Sequence, residues 1–240
     1  IYYKKFKSAC QRANKIIAIS QQTKKDIIDF FEIPESKITV VYQGCNKVFQ
    51  SPVSDNIKQA ILSKYNIQQD YLLYVGSIEE RKNLLTLLKT LKELPNQKLV
   101  IIGNGKSYKV KCLRYIAKNN LSDRVMLLSR ISLEEMTAIY QSALIMIYPS
   151  IFEGFGIPIL EALFCKTPVI TSKDGCFSEA GGPNTKYINP LSIQEMKEAI
   201  GEILNSSDLQ KEMRTKGFEY AQNFTDDKIA TNLIKVYKEI

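Results

Sequence analysis

Histidine is absent from all 240 residues. That removes the commonest metal ligand and the commonest general base, so any chemistry must use carboxylates, lysine, arginine and backbone dipoles. No apolar run approaches the roughly 18 to 20 residues that span a bilayer. The start Ile1-Tyr2-Tyr3-Lys4-Lys5 lacks the apolar core of a signal peptide. A soluble, cytoplasmic chain is expected. An initiator methionine is also absent, and a processed, truncated or partial chain is the expectation. The five cysteines (Cys10, Cys45, Cys112, Cys165, Cys176) are scattered, without the close pairing of a zinc ribbon or redox motif, and read as buried free thiols. No Asp-x-Asp follows a strand, so charge stabilisation without a metal is the simpler expectation, and no cofactor is expected.

What is present is an ordinary globular composition, 45% hydrophobic and 24% charged, enough for one full core and a smaller appendage. The net charge is +8. Lys4, Lys5, Lys7, Arg12, Lys15, Lys24 and Lys25 crowd the first 25 residues. Such an excess favours phosphate-rich ligands or an anionic membrane surface. It is also how a solvated helix face is written, without interleaved exposed aromatics, and no nucleic-acid partner is expected.

From residue 71 the chain repeats one unit: a short apolar strand, a glycine-bearing or polar loop, and an amphipathic helix. Strands are expected at Tyr71 to Val75, Lys98 to Ile102, Val125 to Leu128, Leu144 to Tyr148 and Pro168 to Thr171, with helices between them. Five such strands predict an α/β, Rossmann-like parallel sheet flanked by helices over 71–225. After Pro190 the pattern is helical, and the last helix, 226–240, is expected to cross toward a neighbouring domain. Residues 1–50 hold two strands and two helices, too few to close a core, and read as the remnant of a second α/β domain. Residues 51–70 read as a linker.

The strongest chemical signal is Glu153-Gly154-Phe155-Gly156-Ile157-Pro158-Ile159-Leu160-Glu161, directly after a strand and its Pro149-Ser150 exit. The glycines let the backbone approach a ligand closely, and Pro158 fits the first turn of a helix whose leading N–H groups point outward. That is an anion site with a carboxylate on either side. A second signal is Arg81-Lys82-Asn83, in the loop after Val75. A lysine and a helix N-terminus together can stabilise a departing diphosphate without metal. Gly103-Asn104-Gly105 reads as a tight turn, since the third glycine of a dinucleotide fingerprint is absent.

These blocks resemble glycosyltransferase family 4, retaining GT-B enzymes that use nucleotide-sugar donors. The carrying residues are Glu153 to Glu161 with seven residues between the glutamates, Ala162-Leu163, Thr167 to Thr171, Tyr74-Val75-Gly76, Arg81-Lys82-Asn83, Ile101 to Gly105, and Glu179 before Tyr187 to Pro190. The resemblance covers residues 12 to 240. It implies that 1–50 is the tail of an acceptor-side domain and the rest the donor-binding half, with the remainder of the amino-terminal domain missing. It implies that Lys82 and Arg81 contact the donor diphosphate and that Glu161 bonds the ribose. Glu153 with the amides of Gly154, Phe155, Gly156 and the neighbouring Ile157 would face the transferred sugar. The Arg130-Ile131 turn would lie against the base. Where the family often has arginine after the glycine of the first block, this chain has Ser77. The implied partners are a nucleotide-sugar donor and a glycan or lipid-linked acceptor, with peripheral contact at the inner membrane face. Polysaccharide or lipopolysaccharide assembly with mannose as the sugar is the implied setting, and the isolated chain is expected to transfer little. Two other classes stay open: a non-catalytic nucleotide-binding module, and a basic nucleic-acid-binding protein.

Overall fold

The structure is a computed structural model and describes residues 2–239. In chain order the elements are α1 (Tyr2–Arg12), β1 (Ile16–Ala18), α2 (Gln21–Phe31), β2 (Ile38–Val40), α3 (Asp55–Lys64), β3 (Tyr71–Val75), α4 (Leu84–Lys92), β4 (Lys98–Ile102), α5 (Ser107–Lys118) and β5 (Val125–Leu128). Then follow α6 (Leu133–Ser142), β6 (Ile145–Tyr148), α7 (Ile157–Phe164), β7 (Val169–Ser172), α8 (Phe177–Gly181), β8 (Lys186–Ile188), α9 (Ile193–Leu204), α10 (Ser207–Ala221) and α11 (Asp226–Lys238).

The main sheet has six parallel strands in the order β5-β4-β3-β6-β7-β8. The five expected strands are all there. The sixth, β8, is three residues reading Lys-Tyr-Ile, too short and too mixed to announce itself by periodicity. Strand β3 is buried along its whole length and sends Tyr71, Leu73 and Val75 into one apolar layer and Leu72 and Tyr74 into the other. Leucines of α4 and the apolar face of α9 fill the second layer. Residues of α6 and α7 fill the first. This is the three-layer arrangement that continuous apolar strands require. Chain order reverses between β3 and β6, so the crevice at their carboxyl ends is where open α/β sheets bind ligands.

Residues 2–50 contribute a separate two-stranded parallel sheet, β1 with β2, and a small core of Ala18, Ile33 and Ile38. The expectation of no interleaved exposed aromatics fails here. Tyr2, Tyr3 and Phe6 of α1 stand exposed among its lysines, because α1 buries none of its residues fully. The 51–70 stretch is firmly packed: Leu62 and Ile67 join the main core, and Tyr65 donates to Glu135 of α6 at 2.8 Å. Helix α11 runs back toward the first segment, bringing Glu239 within 3.6 Å of Lys15. All five cysteines are free, four of them buried.

Candidate functional site

The loops after β3 and β6 meet over the switch point. Lys82 lies in a single 3-10 turn (Glu80–Lys82) that Asn83 ends in a left-handed conformation before α4 begins. Its carbonyl neighbour Arg81 is pinned to the other loop, accepting from the Ile151 amide at 2.7 Å and the Ser150 hydroxyl at 3.1 Å. The two sequence motifs, 71 residues apart, are thereby one structure.

At its centre is Glu153. One carboxylate oxygen accepts from the Ser150 hydroxyl (2.6 Å) and the Tyr148 hydroxyl (3.0 Å) and pairs with Lys82, which also hydrogen-bonds to Tyr148. The other oxygen pairs with Arg81 at 2.9 Å. Lys82 and Glu153 are both nearly buried, with side chains 8% and 11% exposed, while Arg81 is 45% exposed and also reaches Glu79 at 3.3 Å. Burial pushes the Glu153 carboxyl up, but hydrogen bonds from Lys82 and Ser150 and the charges of Lys82 and Arg81 outweigh it, holding the group below the usual range as a carboxylate. Burial pulls the Lys82 ammonium below the ordinary lysine value against the pull of Glu153. The cluster of Arg81, Lys82, Glu79 and Glu153 is charge-balanced, so an anion that takes the buried Lys82 draws it away from a carboxylate.

Donors for such an anion stand alongside. Gly156 begins α7 at φ +116°, a conformation open to glycine, and Pro158 occupies the first turn. Among the described residues, the amides of Gly154, Phe155, Gly156 and Ile157 have no protein acceptor. The Phe155 side chain is itself core, stacked on Tyr42 with centroids 5.5 Å apart, so only its backbone is available to a ligand. Cys176 braces the loop from behind, its buried thiol lying 3.3 Å from the Glu153 carbonyl and 3.1 Å from that of Phe155.

Glu161 is in the second turn of α7 and accepts from Tyr140 of α6 at 2.8 Å. Burial raises its carboxyl above the ordinary value, and the Tyr140 bond only partly offsets this. Arg130, exposed and at φ +58°, forms with Ile131 the turn after β5, two strands away from β3. The described residues give Arg130 no hydrogen bond or ion pair to the Glu153 cluster. The structure thus unites Arg81, Lys82, Glu153 and the glycine loop, and leaves Glu161 and Arg130-Ile131 at its margins. Sequence reasoning missed Tyr148, Ser150 and Cys176. Tyr148 closes a buried strand and Ser150 sits three residues before the glutamate, positions that face the loop a strand feeds; Cys176 carries no comparable signal. Among the described residues, no group of three His, Cys, Asp or Glu side chains is disposed to hold a metal ion, and no helix is long and apolar enough to cross a membrane.

Comparison with known proteins places the chain in a family and a fold. The chain is 30% identical over 238 residues to an uncharacterized glycosyltransferase of Methanocaldococcus jannaschii, covering 98% of this chain and 62% of that one. It is 29% identical over 198 residues to an O-antigen chain mannosyltransferase of Salmonella typhimurium, covering 82% and 53%. The chain therefore spans only about half to three-fifths of the length of these relatives. In fold it resembles the Anabaena protein HepE crystallised in complex with UDP-glucose, with a TM-score of 0.87 at 18% identity over 95% of this chain and 64% of that one. The family described as Glycosyl transferases group 1 matches residues 57–220, which hold both loops of the site, and the chain belongs to that family.

Proposed function

We propose that this chain carries the donor half of a glycosyl transfer in which a nucleotide-diphosphate sugar and an acceptor hydroxyl give a glycoside and the nucleoside diphosphate. The observation that carries the reading is the row of four unpartnered amides, Gly154 to Ile157, beside the buried Lys82–Glu153 pair at the switch point. In this reading the diphosphate takes Lys82 and Arg81, and the α7 N-terminus stabilises the charge that develops as the sugar leaves. Glu153, released from Lys82, turns to the sugar hydroxyls. Glu161 takes the ribose, and Arg130-Ile131 borders the base. The charge is met by protein groups, without a metal.

Retention of configuration, mannose as the sugar, and a glycan or lipid-linked acceptor in polysaccharide assembly are the finer parts of the proposal. The mannosyltransferase among its relatives supports the second and third. The acceptor side would be built around the first fifty residues, at the cytoplasmic face of a membrane. The chain as given would bind donor and transfer little. Calorimetric titration with UDP, GDP and their sugars, with and without magnesium, tests the donor site. Binding of one nucleotide, weakened at least tenfold by Lys82→Ala, is expected; an affinity untouched by that change would overturn the reading.

A further inference from the structure

Glu179 lies outside the cluster around Glu153, yet it makes the two shortest contacts between the first fifty residues and the main sheet domain that involve a charge. Its carboxylate accepts from the first two amides of α2, Gln21 at 2.6 Å and Gln22 at 3.0 Å. These are donors that a helix leaves unsatisfied, and an anion there also meets the positive end of the helix. The third amide, of Thr23, is capped locally by Ser20 at 2.9 Å. A carboxylate from more than 150 residues away therefore completes the N-terminus of α2.

The same helix end holds the glycine loop. Ser20 and Thr23 hydroxyls both approach the Gly154 carbonyl, at 2.7 Å and 3.1 Å, and Ser20 is fully buried in doing so. Contact is so close that a Cβ on Gly154 would lie 2.8 Å from the Ile19 Cδ1. Gly154 follows Glu153 directly, and the peptide plane of its carbonyl carries the Phe155 N–H, the second of the four free amides. Tyr220 steadies the Glu179 backbone from the far side, donating to its carbonyl at 2.8 Å.

We infer that Glu179, with Ser20 and Thr23, is a positioning set that ties α2 to the Glu153–Gly156 loop, so that the loop's sugar-facing geometry depends on where α2 sits. None of the three needs to touch the ligand. The ligand half of this inference rests on the donor-site reading above; the coupling of α2 to the loop does not.

The test has two arms on the full chain. The first needs no ligand: Cys176 braces the loop from behind, so its alkylation rate, read by peptide mass spectrometry, reports loop opening, with Cys112 on the opposite face of the sheet as the control for global unfolding. Ser20→Ala/Thr23→Val, which alters only the N-cap and first turn of α2 and strips both hydroxyls from the Gly154 carbonyl, should speed Cys176 labelling about tenfold or more, the least that losing a strong hydrogen bond carries, and leave Cys112 unchanged. Glu179→Ala should do the same and Glu179→Gln, which keeps an acceptor, should restore much of the protection. Unchanged Cys176 labelling in both variants overturns the coupling whatever the ligand does. The second arm titrates the nucleoside diphosphate and its sugar: Glu179→Ala should weaken the nucleotide sugar about tenfold and the bare diphosphate far less. Equal loss for both ligands overturns the positioning role. If the parent chain binds neither nucleotide, the donor reading fails and the labelling arm still decides the coupling.

Discussion

The Lys82–Glu153 pair is the place where stability and function can be separated. Lys82→Met keeps the volume of the side chain and removes its charge, leaving Glu153, 11% exposed, without its buried partner. Removing one member of a buried pair costs about 3–5 kcal/mol. Here Glu153 retains Arg81 at 2.9 Å, Ser150 at 2.6 Å and Tyr148 at 3.0 Å, so the loss should fall below that range, at about 2 kcal/mol. The pH dependence follows from the sign of the shift. In the parent chain the Glu153 carboxyl is held below its unfolded value. Its contribution is therefore present at neutral pH and is lost as pH falls below the ordinary glutamate value of about 4.3. In Lys82→Met, burial is left less opposed and the carboxyl rises, so protonation relieves the variant first. Urea unfolding should show the full deficit at pH 7.5 and a deficit at least halved at pH 4.5. A double change, Lys82→Met with Glu153→Leu, should recover most of the loss, since an apolar pair of similar volume replaces a buried ion pair at little cost. A deficit equal at both pH values would refute the argument.

Three further outcomes follow from the same physics. Glu161 is a carboxylate raised by burial, so its charge costs stability above the ordinary glutamate range; Glu161→Gln should melt no lower than the parent at pH 7.5 in calorimetric scans, while nucleotide affinity falls. Gly103→Ala would place a Cβ 2.0 Å from the backbone oxygen of Gly76, where the ends of β3 and β4 meet, and should destabilise by about 3 kcal/mol or more in urea unfolding. Glu135 closes the capping box of α6 and is held down to about 2 by Lys64 and the Ser132 amide. Glu135→Ala should cost about 1 kcal/mol at neutral pH, a difference that fades as pH falls from the ordinary glutamate range toward 2.

The sheet and its connections were legible because strands buried on both faces are written as unbroken apolar runs, and β3 at Tyr71–Val75 has no exposed residue to blur the pattern. Strand β8 escaped because three residues at a sheet edge need bury only one side. The glycine loop and the start of α7 were legible for a similar reason: glycine and proline impose backbone geometry locally, and local geometry is what sequence records. Contacts between distant segments are another matter. Lys82 could be read as a diphosphate ligand, but nothing in Arg81-Lys82-Asn83 says that without a ligand its ammonium is held by Glu153 and Tyr148.

That pairing changes how the site must operate. A lysine free in a cleft would attract any phosphate, and the +8 net charge would add to the attraction. A lysine buried against a carboxylate gains less from a lone phosphate unless the ligand also gives Glu153 new partners, because freeing Lys82 leaves the buried carboxylate with only the half-exposed Arg81 and two hydroxyls. A diphosphate joined to a sugar supplies both at once, anionic oxygens for Lys82 and hydroxyl donors for Glu153. The prediction is a selectivity read by competition: the nucleoside diphosphate, which lacks the sugar hydroxyls, should displace a bound nucleotide sugar from the parent chain only at about tenfold or more the concentration that free nucleotide sugar needs, and inorganic pyrophosphate more poorly still. In Glu153→Gln, where Lys82 has no anionic partner to leave, pyrophosphate should compete better. If Glu153→Gln instead weakens pyrophosphate and nucleotide sugar alike, the carboxylate acts only as a structural anchor and the exchange of partners at Lys82 is wrong.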